Sequence, residues 1–225
     1  MDETVHSVVN SVGTAPKEGS RTNHPERTKA NILAVAMQEF GEKGLAGARI
    51  DEIAAATDTS KRMIYYYFGS KEGLYTAVLE ESYRRMRQEE GDLNLDNLDP
   101  EAALRKLVAF TFDHHNSNES YIRTVMSENM HRAQYMAKSE LMSDLNLPAI
   151  TTIEKLYRRG VMSGVFRPDL DPLDVHASIS ALAFFNVSNR YTFNMIFRRQ
   201  PPTPAEHTRR RDSVVEMIVR FLRAD

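Results

Sequence analysis

The sequence of 225 residues contains no cysteine, so it can form neither a disulfide framework nor a thiolate metal site. It also lacks any apolar run near the roughly 20 residues that a helix needs to cross a bilayer. The residues from Met1 to Thr4 do not show the basic, apolar and small-residue order of a signal peptide. These absences predict a cytoplasmic protein that does not enter a membrane.

Three sequence features typical of enzymes are missing as well. The sequence has no cysteine nucleophile, no phosphate-binding glycine loop and no pair of histidines four residues apart. His114 and His115 are adjacent, so on a helix they point about 100° apart and cannot chelate one metal ion together. Asp113 and His131 are not spaced so as to complete a metal site with either histidine. We therefore expect no catalytic activity, no metal site and no cofactor.

The most informative segment runs from Ile50 to Tyr75, with the sequence IDEIAAATDTSKRMIYYYFGSKEGLY. Two short helical patterns in it are separated by a polar break, which is typical of a helix-turn-helix whose second helix enters the major groove of DNA. Between Lys61 and Lys71 there are three cations, three consecutive tyrosines and no acid, although the chain has a net charge of −2. This basic and aromatic surface suits phosphates and base edges.

Local patterns predict where these helices begin and end. Ile32, Ala36 and Phe40 recur every fourth residue and mark the buried face of a preceding helix. In the polar break, Asp58 tolerates a left-handed backbone, and Thr59 or Ser60 is expected to cap the next helix. In that next helix Ile64 and Phe68, four residues apart, are expected to anchor it to the core.

The segment from Arg27 to Leu79 resembles the DNA-binding domain of the tetracycline-repressor (TetR) family of bacterial transcription regulators. The string from Ile64 to Leu74, IYYYFGSKEGL, is the most specific part of the resemblance, which covers about a quarter of the chain. Two positions depart from the family pattern. Asp58-Thr59 stands where Gly-Val is usual, and this change is sterically tolerable. Arg49-Ile50 stands where the family often has a Thr or Ser that contacts a phosphate. Arg49 could replace that contact with a charged one.

The resemblance implies that the second helix of the motif contacts DNA. Arg62 is then the candidate for base readout, because a bidentate arginine–guanine contact discriminates by about 1–3 kcal/mol, with a phosphate contact as the alternative. Met63 would either meet a thymine methyl group or shield the helix, and Tyr66 would either face DNA or pack against its neighbours. Candidates for contacts with the phosphate backbone, which set affinity and register, are Arg49, Lys61, Tyr65, Tyr67 and Lys71. The alternative for the three tyrosines is an aromatic packing patch.

The sequence predicts an all-α fold with an N-terminal three-helix helix-turn-helix domain and a C-terminal helical bundle domain for dimerisation and effector binding. Residues 1–24 are expected to form a disordered arm, which either touches DNA or takes no part in binding. Residues 25–78 would form the DNA-binding domain and residues 79–225 the ligand-binding and dimerisation domain. A helix from Lys71 to Glu90 would connect the two domains. Further helices are predicted at 100–116, 118–138, 141–163, 171–197 and 204–223.

The last two predicted helices bear on assembly. The helix at 171–197 is apolar on more than one side, which indicates that more than one side is buried. Proteins similar to TetR dimerise through their last two long helices as a four-helix bundle, and this pair fits that role. Two core helices of a monomer are the alternative. A homodimer would read a palindromic operator in double-stranded DNA, with half-sites about 34–36 Å apart.

The resemblance also implies a small-molecule effector that binds in the second domain. The candidate contacts, each of which also suits ordinary core packing, are Phe110, His114, Met126, Met130, Phe184 and Asn186. The predicted function is a sequence-specific DNA-binding regulator, a repressor that an effector releases from its operator. The alternatives are a constitutive DNA-binding regulator without an effector, and an enzyme that uses the C-terminal helical domain.

Overall fold

The protein is described by a computed structural model that covers residues 25–224, so the predicted N-terminal arm lies outside the described residues. The helices are α1 (Pro25–Gly47), α2 (Ile50–Ala56), α3 (Lys61–Phe68), α4 (Lys71–Gly91), α5 (Pro100–Ser117), α6 (Glu119–Met130), α7 (Met142–Met162), α8 (Pro172–Ser188), α9 (Arg190–Ile196) and α10 (Pro204–Leu222). Short 3₁₀ turns occur at Leu95–Asn97 and Met136–Lys138. The predicted all-α class is confirmed. Within residues 25–224 no helix is both long and apolar enough to cross a bilayer.

The N-terminal core is formed by α1, α2, α3 and the first half of α4. Ile32, Ala36 and Phe40 of α1 are buried, as their spacing predicts. The ring of Tyr75 on α4 meets Phe40 edge to face, with ring centroids 5.1 Å apart. Ile64, the inward residue of α3, is completely buried, and burial of such a side chain contributes about 1.5–3 kcal/mol. The short α3 is therefore held in place mainly by packing.

The long helix α4 belongs to both halves of the molecule. Its residues up to Leu79 lie in the N-terminal core, and Met86, two turns later, packs in a small cluster with Tyr121 of α6 and Val187 of α8. One uninterrupted helix thus connects the N-terminal core to the C-terminal half of the molecule.

A second connection runs between α6 and α1. Arg123 of α6 donates a hydrogen bond from Nε to the carbonyl oxygen of Gly41, at 2.6 Å. A side chain at Gly41 would bring its Cβ to 2.7 Å from the Cβ of Ser120. The two helices can therefore approach this closely only because residue 41 is glycine.

The C-terminal core lies between α5, α7, α8 and α10. Leu104 and Val108 of α5 pack against Ile153 of α7, Ile179 of α8 and Val214 of α10 in one buried cluster. The inward faces of the two helices that the sequence assigns to dimerisation thus also build the core of the single chain.

Two predicted helices are shorter than expected. The predicted helix at 118–138 is wrong beyond Met130, where Arg132 and Ala133 both adopt a φ of 57° and turn the chain. The predicted helix at 171–197 is interrupted at Asn189, which lies between α8 and α9. Neither break contains glycine or proline, which are the residues that usually signal one.

Candidate nucleic-acid interface and interior cavity

Side-chain caps fix the ends of the helices around α3. In the turn before it, Asp58 has a φ of 50°, the left-handed backbone that its residue type tolerates. Ser60, one of the two predicted caps, accepts a hydrogen bond from the backbone N–H of Met63 at 3.2 Å. Ser70 accepts one from the N–H of Gly73 at 2.9 Å and begins α4. Each cap satisfies a backbone donor that the helix leaves unpaired.

The two faces of α3 differ sharply in exposure. Ile64 is buried and Phe68 is partly buried against the N-terminal core. The opposite face presents Arg62, which is exposed, and Tyr66, which is 78% exposed, with Met63 half-buried beside them. The three side chains predicted to meet base edges therefore lie on the outward side of the helix.

The predicted phosphate-binding cations surround this face and have exchangeable partners. Lys61 forms an ion pair with Asp51 of α2, and Arg49 lies 3.9 Å from the same carboxylate. Lys71 is half-buried, and its Nζ donates to the carbonyl oxygen of Ala46 at 3.4 Å. Exposed ion pairs contribute only about 0–1 kcal/mol. These cations can therefore exchange their present partners for a phosphate at little cost.

The three tyrosines do not share one environment. Tyr65 is 44% exposed, whereas Tyr67 is half-buried and meets Tyr66 and Phe68 edge to face, with centroids 5.4 and 6.2 Å apart. The Nζ of Lys29 on α1 lies 5.6 Å from the centre of the Tyr67 ring. Lys29, which the sequence analysis missed, thus adds a cation from a different helix to the same side of the domain.

The second feature of interest is an interior cavity of about 170 Å³ enclosed by α4, α5, α6, α7 and α8. From α4 it is lined by Tyr83, Met86, Arg87 and Glu90, which recur at the spacing of one helix face. For comparison, an apolar cavity of about 150 Å³ is large enough to hold benzene. The cavity therefore has room for a molecule with one ring and a small substituent.

Arg87 and Glu90 bring charge into this interior. Both side chains are at most 10% exposed, and Arg87 Nη1 lies 2.5 Å from Glu90 Oε2. Neither Nη1 nor Nε of Arg87 makes a hydrogen bond of normal geometry. Burial raises the pKa of Glu90, and the charge of Arg87 opposes that rise only in part. The pair thus leaves donor capacity on the guanidinium unused.

Two histidines line the same cavity in the neutral form. Burial, with a smaller contribution from the nearby His114 and Arg87, lowers the pKa of His115 to about 4. Burial also lowers the pKa of His176. His115 Nδ1 is buried without a hydrogen-bond partner. No group of three or more acidic or histidine side chains within residues 25–224 is arranged to hold a metal ion.

These histidines make stability depend on pH. Unfolded His115 takes up a proton near its ordinary value of 6.5 and the folded form only near 4, so its contribution is complete above pH 6.5 and is lost as the pH falls toward 4. We expect the free energy of unfolding to drop by about 2 kcal/mol between pH 7 and pH 5 through His115 alone. Urea unfolding of a His115→Gln variant should show a shallower dependence, whereas exposed His131→Gln should follow the unsubstituted protein. Parallel curves for all three proteins would contradict the assignment.

The predicted effector-binding residues do not lie together in the structure. Phe184 lines the cavity. Met130 is 81% exposed, and Asn186 accepts a hydrogen bond from Arg210 at 3.1 Å in a groove between α8 and α10. The other three are buried or half-buried outside the cavity lining: Phe110, His114 and Met126.

Comparison with protein families finds two matches along the chain. Residues 32–78 match the model of bacterial regulatory proteins of the tetR family. Residues 100–218 match the tetracyclin repressor-like C-terminal domain. The second match alone spans more than half of the 225 residues.

Individual proteins agree with these matches. The chain is 37% identical over 178 residues to the HTH-type transcriptional repressor NicS of Pseudomonas putida, an alignment that covers 79% of this chain and 84% of that protein. The solved structure of SCO4942 from Streptomyces coelicolor is similar with a TM-score of 0.64 and 28% identity, over 87% of this chain and 98% of that one. A tetR-family regulatory protein from Rhodococcus RHA1 shares the fold with a TM-score of 0.69 at 20% identity, over 88% and 99% of the two chains.

Proposed function

Because the chain belongs to the tetracycline-repressor family and is a DNA-binding transcriptional repressor, we propose that two copies bind a palindromic operator and that a small molecule in the interior cavity releases them. The observation that carries the DNA-binding part is the outward face of α3, where Arg62 and Tyr66 are exposed on a helix anchored by buried Ile64. In this proposal Arg62 and Met63 meet base edges, and Tyr66 lies in the groove beside them. The side chains proposed to contact phosphates are Lys29, Arg49, Lys61, Tyr65, Tyr67 and Lys71.

The outward faces of α8 and α10 support a dimer. On α8, Leu173, Ala177, Ala181 and Phe185 recur every fourth residue and are all exposed. On α10 the exposed positions at the same spacing include Met217 and Phe221. Large exposed apolar side chains in one region mark an interaction surface. A second copy of the chain would cover this surface by packing the same two helices against it.

Helices α4 and α6 supply the route from the cavity to the DNA. Both line the cavity, α4 through Arg87 and α6 through Tyr121. Both also touch the N-terminal domain, α4 through Leu79 in its core and α6 through the hydrogen bond of Arg123 to Gly41. A ligand that prefers a shifted α4 changes the separation of the two recognition helices, and the size of the effect equals its difference in affinity for the two states.

The alternative functions are less well supported. A constitutive regulator would have no use for an interior cavity with unpartnered polar atoms. An enzyme is not favoured in a family of transcription regulators, and we propose that the protein has no catalytic activity. A cytoplasmic location follows from binding operator DNA. A thermal-shift screen against a broad metabolite set tests the effector: stabilisation followed by loss of operator binding supports it, and no stabilisation by any compound contradicts it.

Replacement of Phe185 by Glu is expected to convert the dimer into monomers. Phe185 is 47% exposed in the single chain, and its ring meets that of Phe193 of α9 with centroids 6.0 Å apart, so the substitution spares the buried core and places a charge in the proposed interface. Sedimentation velocity should show a monomer, and operator affinity should fall at least about tenfold because one recognition helix then binds alone. Met162→Glu, at an 81% exposed position of α7, should remain dimeric. A dimeric Phe185→Glu variant would place the interface elsewhere.

A further inference from the structure

We infer that the effector is a small organic anion, a monocarboxylate with a single ring, whose carboxylate pairs with the buried guanidinium of Arg87. This inference rests on the proposed function, since it gives a chemical class to the ligand of the proposed effector cavity. It is carried by three features of the cavity: the unpartnered donors, the position of the acidic partner, and the size and shape of the space.

The unpartnered polar atoms at the cavity are nitrogen atoms. Arg87 Nε and His115 Nδ1 are buried without hydrogen-bond partners, and Arg87 Nη1, although ion-paired with Glu90, makes no hydrogen bond of normal geometry. A guanidinium group only donates hydrogen bonds, and a neutral imidazole nitrogen can donate from one of its two tautomers. A ligand that satisfies the guanidinium must therefore present acceptors, and His115 can donate to the same ligand from its Nδ1–H tautomer. A carboxylate does so best, because its two oxygens match the planar fork of an arginine.

The position of Glu90 disfavours a cationic ligand. Its carboxylate already lies 2.5 Å from Arg87, so a cation near Glu90 would also face the guanidinium. Both histidines at the cavity are neutral near pH 7, because burial lowers the pKa of each. Burial likewise favours the neutral form of Glu90. Among the ionisable side chains that line the cavity, Arg87 is therefore the one that attracts an anion.

The space fits a flat ring. The cavity volume of about 170 Å³ slightly exceeds the roughly 150 Å³ that holds benzene, so the cavity accommodates a single ring. Aromatic side chains form part of the wall: the rings of Tyr83 and Tyr121 meet edge to face with centroids 5.5 Å apart, and Phe184 meets His115 in the same way at 6.3 Å. Such walls favour an aromatic ring over a compact polar anion.

The position of Arg87 also explains how such a ligand would act. Arg87 lies eight residues beyond Leu79, the last fully buried α4 residue of the N-terminal core, which is about 12 Å along the helix. A carboxylate that pairs with Arg87 competes with Glu90, one turn farther on the same helix, and so changes the forces on α4 itself. Ligand charge is thereby coupled to the helix that carries the DNA-binding domain.

The test uses the purified full chain and probes that share a ring but differ in charge. Benzoate, salicylate and phenylacetate are the carboxylates, benzamide is the neutral probe and benzamidine the cationic one. We expect at least one carboxylate to raise Tm and to bind in calorimetry with a Kd below about 1 mM, and both other probes to bind at least about tenfold more weakly. No carboxylate binding below about 1 mM, or equal binding of benzamide or benzamidine, would overturn the inference.

Matched variants assign the contact. Arg87→Met should weaken the bound carboxylate at least about tenfold, whereas Arg85→Met, which removes an exposed arginine of the same helix paired with Glu81, should bind as the unsubstituted protein does. If Arg87→Met does not fold, Arg87→Lys keeps the charge without the planar fork and should also bind more weakly. Undiminished binding by the folded Arg87 variant would refute the contact.

Operator binding is measured in parallel to separate the two proposals. A carboxylate that binds through Arg87 but leaves the DNA complex intact would support the ligand class and contradict effector release. A protein that binds its operator but none of the carboxylates would contradict the ligand class and leave the DNA-binding function standing.

Discussion

Replacing Gly73 with Ala should lower the free energy of unfolding by about 3 kcal/mol, at the upper end of what overpacking costs, and should abolish operator binding. Gly73 lies in the first turn of α4, where an added Cβ would overlap the carbonyl oxygen of Phe68, the last residue of α3. A backbone atom cannot move aside as a flexible side chain can. The end of α3 and the start of α4 must therefore move apart, which changes the orientation of α3. This effect does not require Gly73 itself to contact DNA.

Gly91→Ala is the matched control for this substitution. Gly91 ends the same helix, and an added Cβ there would meet nothing within 4 Å. Alanine has a higher helix propensity than glycine, by up to about 1 kcal/mol. Chemical denaturation should therefore show a Gly91→Ala protein that is as stable as the original or slightly more so. Equal stability of the two alanine variants would contradict the proposed clash.

Arg62→Ala should produce the largest change in sequence discrimination. If Arg62 reads a guanine, its loss should reduce affinity for the operator by about 1–3 kcal/mol, or roughly fivefold to 150-fold, and relax preference at one base position of each half-site. Affinity for scrambled DNA should change much less. Fluorescence anisotropy with operator, single-base variants and scrambled duplex measures the difference. Equal losses on all three would assign Arg62 to a phosphate.

Lys71→Ala supplies the contrast, because a phosphate contact carries no sequence information. It should weaken binding to every duplex by a similar factor. It should also reduce the slope of log affinity against log salt concentration by about 0.9, the effect of one neutralised phosphate. An unchanged slope would mean that Lys71 mainly holds the loop at Ala46, to whose carbonyl oxygen it donates.

The helix-turn-helix could be predicted from the sequence because its signals are local. Ser60 caps α3 and Ser70 caps α4, each through a backbone N–H three residues ahead. Ile64 is buried as its spacing from Phe68 predicts. Such signals depend on neighbours within one or two turns, so they can be interpreted without knowing what else packs nearby.

The cavity could not be predicted in the same way. Arg87 lies among polar residues of α4, and Arg84 and Arg85 beside it are exposed. Nothing in that run distinguishes the arginine that other helices cover from those that they leave in solvent. The interruptions after Met130 and at Asn189 were missed for a related reason, because neither site contains a glycine or proline to mark it. Long-range packing determines both features.

The proposed function requires that two copies of this chain recognise one palindrome. A selection of genomic fragments that bind the purified protein, carried out at two salt concentrations, tests it most directly. We expect recovery of a palindrome whose half-sites lie about one helical turn, or 34–36 Å, apart, and we expect its binding to persist at the higher salt concentration. Recovery only of fragments that share no sequence and are lost at the higher salt concentration would contradict it.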